Sequence, residues 1–390
     1  MAGRRKEIPN EAQLGGFKLI GQFRELLGPL DEKRVKSARE LDKRRKFDAE
    51  GYFVMLLFAL LNPVIDSMRG LCATSKFKRF KTATGLPPVS LGSFSEAQSV
   101  FDPQVLRGVI RALLERTVAD PPAALRGKLG KRALEAIDST LWEVLPRMGW
   151  AHWRDQFSTR QNAVRLHLRW RLFAPGCGGA AVVAAKDCER KVLARELLEP
   201  DVIYVGDRYY SGGYDLLERM DELGSGFVVR LQEKLVFEEL EKLPVSPEEK
   251  SRGITHHVRV ALGWRTLLDR GWRVVRLVPS GRGEPILLLT NLAAGDLGAW
   301  EICEIYRQRW AIELFFRWLK CTLPCRHWLA ESEQGVKVQV YCSLIAALLL
   351  SARSGKLPTK RQMEALRYRL LGWIDDNELL AVLGAAKKTN

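Results

Sequence analysis

The sequence predicts an α/β fold, in which strands alternate with helices. Short apolar or alternating runs recur between residues 131 and 291, and helix-type patterns separate several of them. The alternation breaks at residues 232–283, where two strand-like runs follow each other without a helix. Strands interleaved with helices form a layered domain with at least some parallel pairing, so we expect an α/β domain interrupted by a β-rich insertion.

Residues 1–130 show a helical and basic pattern instead. Eight Lys and Arg residues fall between Lys33 and Lys46, and Phe77 and Phe80 interleave with further basic residues at 76–81. Basic residues mixed with aromatic ones suit phosphate contact and stacking, although a solvated charged face is the commoner explanation. We interpret this segment as a helical N-terminal domain that binds DNA.

The remaining boundaries follow from the same patterns. Candidate strands are the runs at 133–140, 163–173, 179–185, 201–206, 226–231 and 285–291. The predicted domains are a helical domain at 1–130, an α/β domain at 131–231 and 284–350, a β-rich insertion at 232–283 and a basic helical C-terminal region at 351–390.

Charge and composition restrict the class of protein. The chain has 62 Lys and Arg against 46 Asp and Glu, a net charge of +16, which favours a nucleic-acid or other polyanionic partner. Its 7 Cys, an odd number, indicate reduced thiols. The longest apolar runs, at 54–61 and 343–352, are shorter than the roughly 20 residues of a membrane span. We therefore expect a cytoplasmic protein with no membrane partner.

Four polar residues lie on one edge of a helix predicted over residues 301–320. Tyr306, Arg309, Glu313 and Lys320 are separated by three, four and seven residues, which stacks them in one row along a helix. An ion-paired edge is the ordinary explanation for Arg and Glu at such spacing. The other helix faces are mostly apolar, so we expect a buried helix. Polar groups held there need partners, which a polyanionic ligand and a divalent metal would supply.

Two further acids stand out. Asp138 lies within a predicted strand, flanked by apolar and hydroxyl residues, and Asp207 directly follows a strand. Ligand sites of α/β sheets form at strand ends. With Glu313, these carboxylates are expected to converge on two Mg²⁺ or Mn²⁺ ions that activate water for phosphodiester cleavage. A turn or cap role is the ordinary explanation for Asp207 alone.

These residues together resemble the signatures of a known family. Residues 138–140 (Asp-Ser-Thr), residues 207–210 (Asp-Arg-Tyr-Tyr) and the Tyr-Arg-Glu-Lys row resemble the DDE transposases of bacterial insertion sequences, in the insertion-sequence-four group. The first and third signatures fit without change, whereas Tyr209 stands where a small residue is usual in the second. The resemblance covers residues 134–350.

The resemblance implies a ribonuclease-H-like catalytic domain with a β-rich insertion between the second Asp and the Glu. It implies a transposase that binds terminal inverted repeats as a homodimer on paired ends of double-stranded DNA. Such an enzyme cleaves the ends by two-metal hydrolysis and transfers the 3′-hydroxyl ends to target DNA. Asp138, Asp207 and Glu313 would be the catalytic metal ligands.

The expected DNA contacts also follow from the resemblance. They are Tyr306, Arg309, Lys320, Arg208, Trp264 and Trp272. Relatives use a Trp of the insertion to hold a flipped base, which makes Trp264 and Trp272 candidates, although a core position is commoner for either. Three arginines at 165, 169 and 171 are candidates for the DNA path, with a solvated sheet face as the more ordinary explanation.

Two alternatives stay open. A nuclease on the same fold would use the same acids without strand transfer. A non-catalytic DNA-binding remnant of a transposase would be expected to lose one of the acids or to truncate the final helix, and neither has happened here. A simple helical nucleic-acid binder would explain the charge but not the three acids.

Overall fold

The computed structural model describes most of the 390-residue chain. The described residues are 19–45, 47–62, 65, 67–118, 120–154, 160–174, 176–263, 267–279, 283–322, 328–352, 357–371 and 373–385. The backbone packs as two units. The helical unit comprises Met1–Thr117, Trp142–Asn162 and Arg317–Asn390, and the sheet unit comprises Val118–Leu141 and Ala163–Phe316. The domain boundaries drawn from the sequence stay a prediction.

Helices dominate the helical unit. They are α1 (Leu19–Lys33), α2 (Ala49–Leu61), α3 (Met68–Thr74), α4 (Lys78–Thr84), α5 (Leu91–Ala97), α6 (Gln104–Glu115), α13 (Glu333–Ala352), α14 (Lys360–Leu371) and α15 (Asp376–Ala385). Apolar residues occupy every side of α2, so its side chains are nearly all buried. Asp48 caps this helix, because its side chain accepts a hydrogen bond from the Gly51 N–H.

Helix α13 is the centre of this unit. It packs against α1, α2 and α6. By length and composition it is the one helix among the described residues that is long and apolar enough to cross a membrane, but 89% of that stretch is buried in the protein. The apolar run at 343–352, which by itself is shorter than a membrane span, is therefore part of a 20-residue helix. That helix is buried in the way a core helix is.

The sheet unit is built on strands and short helices. In chain order they are β1 (Ala133–Glu143), β2 (His152–Arg154), β3 (Arg160–Arg171), β4 (Gly176–Ala184), α7 (Glu189–Val192), β5 (Val202–Gly206), α8 (Arg208–Ser211), α9 (Tyr214–Glu222), β6 (Gly226–Arg230), β7 (Phe237–Lys242), α10 (Pro247–Ser251), β8 (Ile254–Leu262), β9 (Leu268–Leu277), β10 (Ile286–Thr290), α11 (Ala299–Arg307) and α12 (Trp310–Thr322). The first and third strands and α12 continue into the helical unit, which also contains β2.

The sheet order confirms the predicted α/β, ribonuclease-H-like fold. Strands lie side by side in the order β4, β3, β1, β5, β6, with β1, β5 and β6 parallel. Beyond β6 the same sheet continues with β10, which belongs to the predicted α/β domain, and then with β9, β8 and β7 of the predicted β-rich insertion, all antiparallel. Buried apolar residues such as Val205 and Val229 explain why β5 and β6 lie at the centre.

The helix predicted over residues 301–320 is two helices, which corrects the single-helix expectation. Between α11 and α12 the Arg309 N–H donates to the Tyr306 carbonyl (3.0 Å), and the Ala311 N–H donates to the Gln308 carbonyl (3.0 Å). This three-residue spacing tightens the chain into a turn. Helix α12 is also less buried than expected, because Trp310 and Leu314 are 49% and 48% exposed.

Candidate active site

The paired parallel strands β1 and β5 bring Asp138 and Asp207 together. Ala133 pairs with Val202 and Ala136 with Val205, so the same register continued by two residues sets Asp207 beside Asp138. Adjacent strands lie about 4.8 Å apart, so these two residues are neighbours across β1 and the end of β5. The two acids predicted from separate signatures therefore form a pair.

Local hydrogen bonds orient both carboxylates. Oδ1 of Asp138 accepts the Ser139 N–H at 2.8 Å. Oδ1 of Asp207 accepts the Tyr209 N–H at 2.9 Å and so caps α8. Asp207 is thus a helix cap, as the ordinary explanation predicts. The same residue also lies beside Asp138.

Arg309 links this pair to Glu313. Its Nη2 donates to Oε1 of Glu313 at 2.7 Å, and its Nη1 lies 3.9 Å from Oδ2 of Asp138. The guanidinium carbon also lies 5.8 Å from the Tyr306 ring centroid. Two other members of the predicted row and Asp138 therefore surround the Arg309 guanidinium, whose side chain is 14% exposed.

Within this cluster, the surroundings of Asp138 disfavour its ionised form. Burial, with a smaller effect of the nearby Asp207, raises the pKa of Asp138 to about 7, although the Ser139 N–H and Arg309 act in the opposite direction. Desolvation and a like charge both disfavour an ionised carboxylate. A divalent cation at the pair would reverse this, because it stabilises both charged forms.

The donor set fits a hard divalent metal. Carboxylate oxygens are the ligands that Mg²⁺ and Mn²⁺ prefer. Within the described part of the chain, no three His, Cys, Asp or Glu side chains lie close enough together to hold a metal. The Glu313 carboxylate is instead bonded to Arg309. Asp138 and Asp207 fit as a ligand pair, whereas Glu313 fits by residue type only.

The remaining predicted residues occupy different surroundings. Burial raises the pKa of Tyr306, and the Arg309 charge partly offsets it. Arg208 is exposed as the first residue of α8. Lys320 lies on α12 in the helical unit, where its Nζ is 5.7 Å from the Trp142 ring centroid and burial lowers its pKa.

The two Trp candidates for a flipped base have different outcomes. Trp264 lies outside the described residues. Trp272 is 1% exposed, packs edge-on against Phe227, and donates from Nε1 to Asp221 at 3.1 Å. Trp272 is therefore a core residue whose ring and N–H are already occupied, so the prediction that it contacts DNA is not supported.

The arginines on β3 are neither a DNA path nor a solvated face. Arg169 is 2% exposed and pairs with the fully buried Glu135, which also contacts Arg171 at 3.1 Å. Arg165 pairs with Glu189. These arginines are neutralised by acids, which corrects both readings of their alternation.

Sequence reasoning missed a pocket next to Arg309. It has a volume of about 330 Å³ and is lined by Tyr306, Arg309, Trp300 and Trp310 among others. Trp310 directly follows Arg309 in the sequence and is 49% exposed. No sequence pattern marks the pocket itself.

Comparisons with known proteins identify a family. The family described as "Transposase DDE domain" matches residues 130–349. A probable transposase for insertion sequence element IS5377 from Geobacillus stearothermophilus is 23% identical over 289 residues, which is 72% of this chain and 73% of that protein. The transposase for insertion sequence element IS421 from Escherichia coli is 33% identical over 81 residues, 21% of this chain and 22% of that protein.

A solved structure gives a remote likeness. The piggyBac transposase, in a synaptic complex with hairpin DNA, superposes with a TM-score of 0.42 and 10% identity, covering 99% of this chain and 86% of that one. The family match spans more than half of the chain and includes Asp138, Asp207 and Glu313. The chain belongs to the DDE transposase family of insertion-sequence elements.

Proposed function

We propose that this protein binds the terminal inverted repeats of its own insertion sequence, cleaves the DNA at the element ends, and transfers the 3′-hydroxyl ends to target DNA. The observation that carries the proposal is the register of β1 and β5, which sets Asp138 beside Asp207, with Arg309 3.9 Å from Asp138 and bonded to Glu313. A hydrolytic site for phosphodiesters needs such acids together with a cationic group.

Asp138, Asp207 and Glu313 are the residues that would hold two Mg²⁺ or Mn²⁺ ions. When bound, these ions supply an activated water and stabilise the leaving oxygen. The raised pKa of Asp138 supports this assignment, because burial and, to a lesser extent, the adjacent Asp207 carboxylate disfavour its ionised form, which a bound cation would stabilise. These three residues are the proposed catalytic groups.

Arg309 is the proposed phosphate-binding group at this site. Its planar guanidinium donates two parallel hydrogen bonds to a phosphate as readily as to a carboxylate. In the absence of DNA it bonds to Glu313 and lies near Asp138. Tyr306, Lys320 and the exposed Arg208 are proposed DNA contacts, the first by packing on the terminal nucleotide.

The partner is proposed to be double-stranded DNA, both element ends and target. The net charge of +16 supports a polyanionic partner, and the relatives are transposases of insertion sequences. We assign DNA-end recognition to the helical region 1–130 and catalysis to residues 131–231 and 284–350, with the insertion at 232–283 and a basic C-terminal region at 351–390. A homodimer on paired ends in the bacterial cytoplasm completes the proposal.

The test is a nicking assay on a labelled duplex that carries the inverted repeats flanking the gene. Nicking at the element boundary is expected with Mg²⁺ or Mn²⁺. Asp138→Asn, Asp207→Asn and Glu313→Gln should abolish the nick while binding to the duplex persists. Glu222→Gln is the matched control, since Glu222 is an exposed acid at the end of α9 in the same unit. A variant of the three that still nicks would contradict the assignment.

Two outcomes would favour the alternatives. Pre-cut ends that are never joined to a target plasmid, although nicking proceeds, would indicate a nuclease. Tight binding with no cleavage under either metal would indicate a DNA-binding remnant.

A further inference from the structure

A basic pocket begins where α8, the short helix capped by Asp207, ends. It is a pocket of about 460 Å³ in the sheet unit. Its wall includes Arg190 and Lys191 of α7, Arg219 of α9, and the two glycines 212 and 213 that follow α8. Helix α8 begins at its cap Asp207 and ends at Ser211, so the pocket starts one short helix away from the acid pair.

The charge of the pocket is predominantly positive. Three cations line it against one carboxylate, that of Asp215. Among the described residues, Arg190, Lys191 and Arg219 form no ion pair, whereas the neighbouring Arg195 pairs with Glu196 at 2.6 Å. Unneutralised cations in a concave surface repel each other and attract a polyanion.

Arg190 is held in place by Tyr209. The guanidinium carbon of Arg190 lies 4.9 Å from the Tyr209 ring centroid, within the range of a cation–π contact. The Tyr209 hydroxyl lies 3.7 Å from Sγ of Cys188, which fixes the ring from its far end. Tyr209 is the residue that departs from the family signature, where a small side chain is usual.

The two glycines leave room for the same arginine. A Cβ on Gly213 would lie 2.5 Å from Cδ of Arg190, and a Cβ on Gly212 would lie 3.0 Å from its Nη1. Both distances are too short for an ordinary contact. A side chain at residue 213 would displace the stem of Arg190, so the Tyr209 ring and Gly213 together restrict the position of this arginine.

We propose that this pocket binds a backbone phosphate of the DNA strand that enters the active site, with Arg190 as the donor and Tyr209 as the residue that positions it. This rests on the proposed function, because it names a second DNA contact of the same site. Tyr209, which stands where the family signature has a small residue, then has a role, because its ring supports the arginine that binds the phosphate.

The experiment measures affinity without cleavage. The full chain is titrated in EDTA against a fluorescent duplex carrying the inverted repeat, at several salt concentrations. Arg190→Ala should raise Kd about 10-fold and lower the salt slope by about one, as the loss of one phosphate contact does. Arg195→Ala removes the same charge from an arginine that is 66% exposed and paired outside the pocket, and should leave the slope unchanged.

The positioning role has its own readout. Tyr209→Ala should weaken binding as much as Arg190→Ala, and the double variant should bind no worse than either single one. Tyr209→Phe keeps the ring and should restore most of the affinity. Thermal unfolding of each variant checks that the fold is retained.

Several results would overturn the proposal. Unchanged affinity and slope in Arg190→Ala would do so, and so would an equal loss in Arg195→Ala. Inorganic phosphate, added at constant ionic strength, could stabilise the wild type but not Arg190→Ala against thermal unfolding. If both proteins also bind the duplex equally well, the pocket is a site for free phosphate and not for DNA. A wild type that binds no duplex overturns both proposals. One that binds duplex but does not nick with Mg²⁺ overturns only the cleavage step.

Discussion

Removing Arg169 should be among the most damaging single changes in the sheet unit. Arg169 and Glu135 are 2% and 0% exposed, and Nε lies 2.8 Å from Oε2 at an angle that makes this a charge contact without a hydrogen bond. Arg169 also donates from Nη2 to the Gly178 carbonyl and to Glu199, each at 2.9 Å, and from Nη1 to the Leu197 carbonyl. One side chain thus ties two strands to the segment that follows α7.

The magnitude follows from what is left behind. Arg169→Met fills much of the volume but leaves Glu135 buried with only Arg171, whose side chain is 25% exposed, as a cationic partner. Breaking a buried pair by removing one partner costs about 3–5 kcal/mol. Because Arg171 remains at 3.1 Å, we expect the lower end, about 3 kcal/mol.

Urea denaturation followed by circular dichroism measures this loss as a lower midpoint at constant m-value. Arg195→Met is the control and should change stability by less than about 0.5 kcal/mol, since Arg195 is exposed. Adding Glu135→Leu to Arg169→Met should recover much of the loss, because no uncompensated charge is then buried. A single variant within about 1 kcal/mol of wild type, or a double variant no more stable than the single, would refute the reasoning.

Two further predictions concern buried aromatic rings. Burial, with the Arg165 charge, lowers the pKa of His167 to about 3, below its ordinary value of 6.5. The contribution of His167 to stability is complete above pH 6.5 and is lost as the pH falls towards 3, by about 2 kcal/mol at pH 5. The raised pKa of Asp138 acts in the opposite direction over the same pH range, so the measure is a difference between two proteins. Between pH 7.5 and 5, urea denaturation should show that wild type loses about 2 kcal/mol relative to His167→Phe. Trp272→Phe should cost about 2 kcal/mol, because it leaves a cavity and removes the donor to Asp221. Duplex affinity should not change in Trp272→Phe, and the half-exposed Trp310, changed to Phe, is the control for stability.

The acid pair was predictable because its signal is local. Apolar runs at 133–140 and 201–206 indicate buried strands, and buried strands interleaved with helices tend to be parallel. Parallel neighbours end at the same sheet edge, so an acid on each strand is expected there. The structure adds the register, which no sequence pattern specifies, and that register places Asp138 beside Asp207.

The ion pairs of the β3 arginines could not be predicted from the sequence. Alternation of basic and apolar residues is typical of a half-solvated strand. The acids that neutralise Arg165 and Arg169 are Glu189 and Glu135, which are 24 and 34 positions away in the chain and meet the arginines only through the fold. A pattern confined to one strand contains no information about such partners.

The break between α11 and α12 is the feature that joins the signatures into one site. The spacing of Tyr306, Arg309 and Glu313 on a continuous helix predicts an ordinary ion pair at i and i+4, and that pair is present at 2.7 Å. The turn at residues 308–309 adds what the spacing does not predict, a guanidinium that also lies 3.9 Å from Asp138. Neither Pro nor Gly occurs at the break, so nothing local marks it. We infer that contacts made across the fold, through Arg309, stabilise the turn that links the row to the acid pair.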